Sequence, residues 1–394
     1  MFEKTWRWFG PDDRIAFSEI RQAGATGIVT ALHQIKVGEV WPEEEIFKRK
    51  KLIEDSGLKW SVVESVPVSE NIKKQKGDFK KHIENYKQTV RNLAKHNIRT
   101  ICYNFMPILD WSRTNLVYKF PDGSESLRFD FIWFAAFDLY ILKRENAEQS
   151  YPKEVLDRAK AYFASLSTDQ KKELESTVLL GLPGSLEAFT LKELREKINT
   201  YREIDAAKLK SHLFYFLKEI IPVAQESGVR MAIHPDDPPF SLLGLPRIVS
   251  TEDDIRDILT AVDSPNNGIT FCTGSFGAGY FNDLPDMAQK FAGRINFAHL
   301  RNVNRDTALN FNENYLLEGD IDIYEIMRIM LCEMKRRKDE GLADWQIPVR
   351  PDHGNQMLDD IGKDNYPGYS LYGRMKSLAE IRGMETAIMR GFKL

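Results

Sequence analysis

Cysteine is scarce in this sequence: Cys102, Cys272 and Cys332 are the only three in 394 residues. An odd number of thiols spread this far apart excludes a disulfide framework and predicts a reducing, cytoplasmic setting. Long apolar runs are missing as well. None approaches the ~20 residues that span a bilayer, and the opening Met1-Phe2-Glu3-Lys4-Thr5-Trp6-Arg7 lacks the apolar centre and cleavage site of a secretory signal. Neither sign of charge dominates. A net charge of -3 with a pI near 6.2 leaves no electrostatic footprint for nucleic acid. Internal repeats and low-complexity segments are absent. These absences point to a small-molecule partner, with neither nucleic acid nor membrane, and leave a homodimer open.

What is present is alternation. Hydrophobic residues make up 42% of the chain, enough for one large core. Short apolar runs at 6–9, 26–32, 60–63, 100–103, 229–233, 268–272, 295–299 and 347–352 read as strands. Stretches at 15–23, 42–56, 79–96, 204–227, 252–261, 284–292, 324–340 and 370–391 read as helices. Pro42 falls in a first turn, Gly57 and Gly228 follow helix ends, and Thr251 is a plausible cap. Eight strands, each followed by a helix, predict an α/β fold: a single (β/α)8 barrel, with its active site at the C-terminal ends of the strands. The rhythm breaks between strands 4 and 5. There 116–120 and 127–131 flank Pro121-Asp122-Gly123-Ser124, a hairpin signal, and helical stretches follow at 167–175 and 191–198. About 112–200 is expected to be an insertion on the barrel rim.

Strands 5 to 8 share one feature. They end at His234, Cys272, His299 and Asp352, each a potential metal ligand. Neighbouring strands of a barrel would bring these four to one side of its mouth. Two imidazoles, a thiolate and a carboxylate form a borderline-soft set that suits Zn²⁺, Fe²⁺, Co²⁺ or Mn²⁺ better than Ca²⁺ or Mg²⁺. A structural zinc site usually draws its ligands in short pairs; these are dispersed along the chain. His353 adjoins a ligand and can serve as acid or base, or as a partner that orients Asp352. The stretch Asn365-Tyr366-Pro367-Gly368-Tyr369-Ser370-Leu371-Tyr372-Gly373-Arg374 is a Gly/Pro-hinged aromatic loop placed to cover the mouth, or a piece of surface packing. Arg301 and Asn302 suit a carboxylate. Arg7, His33, Glu64 and Asn104 fall at strand ends and would line the cavity.

These motifs together resemble the signatures of the mannonate dehydratase family. The resemblance rests on Ala232-Ile233-His234-Pro235-Asp236-Asp237-Pro238-Pro239, Phe271-Cys272-Thr273-Gly274-Ser275, His299-Leu300-Arg301-Asn302, Arg350-Pro351-Asp352-His353-Gly354, the loop 367–374 and the opening Arg7-Trp8-Phe9-Gly10-Pro11. It extends over nearly the whole chain and is weakest in the insertion. It implies dehydration of D-mannonate to 2-dehydro-3-deoxy-D-gluconate in hexuronate breakdown, on a barrel related to metal-dependent sugar isomerases. It also implies Mn²⁺ or Fe²⁺ on the four ligand positions and His353 and Tyr369 as the acid/base pair. Arg7, His33, Asn104, Arg301, Asn302 and Arg374 are then the substrate-binding candidates.

The chemistry is consistent with that set. Removing a proton next to a carboxylate adds charge that a divalent cation stabilises, and loss of the neighbouring hydroxyl needs a proton donor. Two rival readings stand beside it. A metal-dependent aldose-ketose isomerase or epimerase would need more free carboxylates for hard metals. A barrel carrying a structural zinc would serve only to bind a partner.

Overall fold

The computed structural model describes residues 1–180, 190–307 and 309–394. Eight parallel strands close into a barrel: β1 (Glu3–Arg7), β2 (Gly27–Thr30), β3 (Lys59–Glu64), β4 (Thr100–Tyr103), β7 (Arg230–Ile233), β8 (Asn267–Cys272), β9 (Ile295–Leu300) and β12 (Pro348–Pro351). Their order around the ring is β1-β12-β9-β8-β7-β4-β3-β2. All eight predicted barrel strands are therefore present, most within a residue or two of the expected bounds. The first is the exception. It starts at Glu3, and Trp8 to Pro11 lie beyond it. Glu3 and Lys4 disguised it as a polar terminus. Both are paired, with Lys59 at 3.0 Å and Glu385 at 2.7 Å, at the end of the barrel away from the mouth.

Strand alternation sends one set of side chains inward and the other towards the helices. Val29, Val62, Cys102, Ala232 and Phe297 form a closed cluster inside the barrel. Cys102 is thus a packing residue, and its thiol accepts a hydrogen bond from Thr270 at 3.2 Å. Outward residues such as Ile28, Ile101 and Ile269 join the large core beneath the helices. Helix Glu252–Ala261 begins as predicted, in a capping box between Thr251 and Asp254.

The segment between β4 and β7 opens with the expected hairpin, β5 (Asn115–Lys119) and β6 (Glu125–Phe129). Helices follow, among them Lys153–Ser165, Thr168–Leu179 and Leu191–Asn199. Residues 181–189 of this predicted insertion lie outside those described. The hairpin does not stand alone. The loop after β9 folds into β10 (Asn302–Arg305) and β11 (Phe311–Asn314), and the four strands form an antiparallel sheet in the order β10-β11-β6-β5. This second sheet was not expected, because β6 and β11 are separated by about half the chain and each is too short to signal its partner. It hangs over the barrel mouth on the side of β9 and β12. Among the described residues no helix is long and apolar enough to cross a membrane.

Candidate active site

Strand register assembles the site. Cys272 pairs with His299, and His299 with Arg350, so β8, β9 and β12 present these three at one level. The ligand atoms of His234, Cys272 and His299 lie within 4.8 Å of one another. Donors bound at 2.0–2.3 Å to one tetrahedral ion would stand about 3.3–3.8 Å apart, so this convergence is of the right size. His234 Nδ1 donates to the Pro235 carbonyl at 2.7 Å, which leaves the Nε2 lone pair free, 3.2 Å from His299 Nδ1. Asp352 is not one of these three but lies beside two of them: its oxygens are 3.5 Å from Cys272 Sγ and 3.6 Å from His299 Nδ1. Cys272 and His299 are fully buried, and among the described residues His299 Nε2 has no hydrogen-bond partner, with Glu64 Oε2 3.6 Å away. Two imidazoles facing each other beside a thiol and a carboxylate are the donor set of a borderline-soft divalent ion.

Arginines hold the carboxylates around this cluster. Arg350 lies two residues before Asp352 on the same side of its strand. It meets Asp352 Oδ1 at 2.7 Å and forks onto Glu64 at 3.0 and 3.2 Å. Arg301, two residues after His299, faces Asp237 at 2.6 Å, Glu313 at 3.0 Å and Asp352 at 3.3 Å. Arg113, from the start of the inserted segment, meets Asp237 at 2.6 Å and Glu313 at 2.7 Å. Burial alone would push these carboxyls up. Arg350 leads in overcoming it at Asp352, which is held well below the usual carboxylate range, and His353, followed by Arg301 and Arg113, holds Glu313 down at about 2. Gly274 makes room for the guanidinium, since a Cβ there would lie 1.8 Å from Arg301 Nε.

His353 and Tyr369 line the cavity together, ring centroids 4.9 Å apart and edge to face. The Gly354 N–H donates to the Gly368 carbonyl at 2.9 Å and pins the aromatic loop beside His353. Gly368 has φ +81°, and a Cβ on it would come within 2.9 Å of His353 and of Leu127 in β6. Tyr369 is 3% exposed. Burial pushes its phenol above the ordinary value, although Arg350 pulls the other way, so it keeps its proton.

The substrate-binding candidates separate. Asn104 and Arg301 line the cavity. Arg7 lies behind Phe9, 4.7 Å from its ring centroid, with Nη1 buried and without a hydrogen-bond partner among the described residues. Asn302 is turned away: its amide bonds the backbone of Leu316 and Ile321. Arg374 is also turned away; it stacks 4.0 Å over Trp6 and donates to the carbonyls of Arg7, Tyr369 and Ser370. It braces the loop from behind. His33 packs beside Phe9 instead of lining the cavity. Strand alternation explains Asn302: His299 and Arg301 face the site, and Leu300 and Asn302 face away. The same rule would have found Arg350. Glu313 and Arg113 had no such signal, because the second sheet delivers the one and the inserted segment the other. Asp110 and Trp111, also on the cavity wall, fell where the strand rhythm stopped.

His33 yields a prediction of its own. Burial, reinforced by Arg7 and Arg49, lowers its pKa from 6.5 to about 3. The folded state therefore binds the proton less well than the unfolded chain. His33 contributes stability that is complete above pH 6.5 and is lost as the pH falls towards 3. Between pH 7 and pH 5 the native protein should lose on the order of 1–2 kcal/mol more than His33→Gln, read from urea midpoints. Parallel curves for the two proteins would refute it.

Against known proteins, a family model described as D-mannonate dehydratase (UxuA) matches residues 2–394. A curated mannonate dehydratase from Marinomonas sp. (strain MWYL1) is 54% identical over 387 residues, 98% of this chain and 99% of that one. The crystal structure of mannonate dehydratase from Streptococcus suis serotype 2 is similar with a TM-score of 0.77 at 34% identity, covering 100% of this chain and 95% of that one. A D-psicose 3-epimerase structure, at a TM-score of 0.51 and 11% identity over 97% of this chain and 99% of that one, shares the fold alone. Matched along its length by the family model and at more than half of aligned positions by a curated member, the chain belongs to the D-mannonate dehydratase family.

Proposed function

We propose that this hydro-lyase removes water from D-mannonate to give 2-dehydro-3-deoxy-D-gluconate, a step of hexuronate breakdown. His234, Cys272, His299 and Asp352 hold Mn²⁺ or Fe²⁺, His353 is the base and Tyr369 the acid. The observation that carries the metal reading is the convergence of three ligand atoms within 4.8 Å in a chain of this family. The bound ion would supply Lewis acidity towards the substrate carboxylate, lowering the cost of removing the adjacent proton. His353 takes that proton at its cavity-facing edge. Tyr369, kept protonated by burial, gives its proton to the departing hydroxyl. Arg350 and Arg301 hold Asp352 in place. Asn104, on the cavity wall, is the contact left for the sugar acid. An isomerase of this barrel type would favour several carboxylates for hard metals, whereas the converging donors here are two imidazoles and a thiol.

The test is to follow 2-keto acid release from D-mannonate after chelation and after adding back Mn²⁺, Fe²⁺ or Zn²⁺. Activity should vanish with the chelator and return with Mn²⁺ or Fe²⁺; undiminished activity without metal would remove the reading. Cys272→Ser should bind the ion at least about tenfold more weakly with the fold intact, because the hydroxyl is a poorer ligand of similar size. Metal content per chain after dialysis, with circular dichroism on the same sample, decides this.

A further inference from the structure

We infer that Glu313 is a positioning residue for His353: its carboxylate fixes the imidazole in the tautomer with Nδ1 protonated, leaving Nε2 to accept the substrate's proton. The inference rests on the reading of His353 as base. Glu313 lies on β11 and is 3% exposed. Its Oε2 and Oε1 are 2.7 and 2.9 Å from His353 Nδ1. A bare Nδ1 at that distance would set a lone pair against an anion, so the ring proton belongs on Nδ1 and is donated to the carboxylate. Arg301 Nη1 is also 3.0 Å from Nδ1. It has Glu313 Oε1 as an acceptor at 3.0 Å, so it does not need the ring nitrogen.

Neither partner is free to turn. Arg113 Nη2, at 2.7 Å, and Arg301 clamp the carboxylate from two sides. The edge-to-face rings of Trp111 and Tyr369, at 6.4 and 4.9 Å, enclose the imidazole. In the proton transfer this prepares, the C–H bond beside the substrate carboxylate breaks, its electron pair stays on the substrate and the proton moves to Nε2. The second sheet thereby acquires a task, because β11 carries Glu313 to the ring only when it is held against β6.

The test is a double-mutant cycle. Glu313→Gln should lower kcat about tenfold or more, with KM within about threefold and metal content unchanged. In a His353→Asn background the same change should cost less than about twofold, since the residue acts through the ring. Equal losses in both backgrounds, or a raised KM with unchanged kcat, would overturn the positioning role. If Glu313→Gln does not fold, Glu313→Asp keeps the charge between Arg113 and Arg301 but withdraws it by about one methylene, and the same criterion applies. Normal turnover by His353→Asn alone would instead defeat the catalytic reading of His353, and the inference with it.

Discussion

His353→Asn is expected to lose at least about 10²-fold in kcat, about 2.7 kcal/mol of barrier, while retaining the metal and a KM within a few-fold. Its ring faces the cavity but is held through Nδ1 by Glu313 and is not one of the converging ligand atoms. Removing it should therefore spare the ion. Tyr369→Phe should lose a similar factor, and the two losses differ in kind. In D₂O, a variant without the base stops exchanging the proton at the carbon beside the substrate carboxylate. A variant without the acid still exchanges it but does not eliminate water. His353→Asn should show the first behaviour and Tyr369→Phe the second. Reversed outcomes would exchange the roles. If Tyr369 only excluded water, the result would be a raised KM, modest loss of turnover and unaltered exchange.

Arg301→Leu should destabilise the fold by about 3–5 kcal/mol, the usual cost of leaving buried charges without their partner. Asp237, Glu313 and Asp352 all face this guanidinium, and all are buried. Arg301→Lys should recover only part of the loss, because one ammonium cannot face three carboxylates with a planar fork. The pH dependence has a definite sign. Asp237 and Asp352 are held below 3.8, and Glu313 is lowered from 4.5 to about 2, against the upward push of burial. Ionised carboxylates favour the native fold above their unfolded pKa values, so the deficit of the variant should be largest near neutral pH. It should narrow as the pH approaches about 4, where the unscreened carboxyls take up protons. Chemical-denaturation midpoints from pH 7 to 4.5 measure it; a constant or widening gap would contradict the assignment of the network to Arg301.

How much of this was legible beforehand follows from the range of the forces involved. The barrel was, because each strand and helix announces itself within a dozen residues by period, cap or turn: Thr251 with Asp254, Gly57, and the short β-branched runs. The metal-ligand candidates were legible for the same reason. Each stands at the end of its own strand, and a parallel barrel turns four strand ends into one mouth. Alternation along a strand also carried information about Arg350 and Asn302, in opposite directions. The second sheet was not legible. β6 and β11 meet only because the hairpin after β4 and the loop after β9, from strands three places apart in the ring, both reach over the mouth, and pairing between distant edges leaves no local pattern. Its consequences were hidden with it, namely Glu313 against His353, Arg113 between two carboxylates, and Leu127 beneath Gly368. The sequence by itself determined the barrel and placed the ligand candidates at its strand ends, since both depend on local periodicity. Tertiary structure alone decided which charges are paired, which way Arg374 and His33 turn, and what holds His353, since those depend on side chains from separate elements, some hundreds of residues apart, competing for the same buried space.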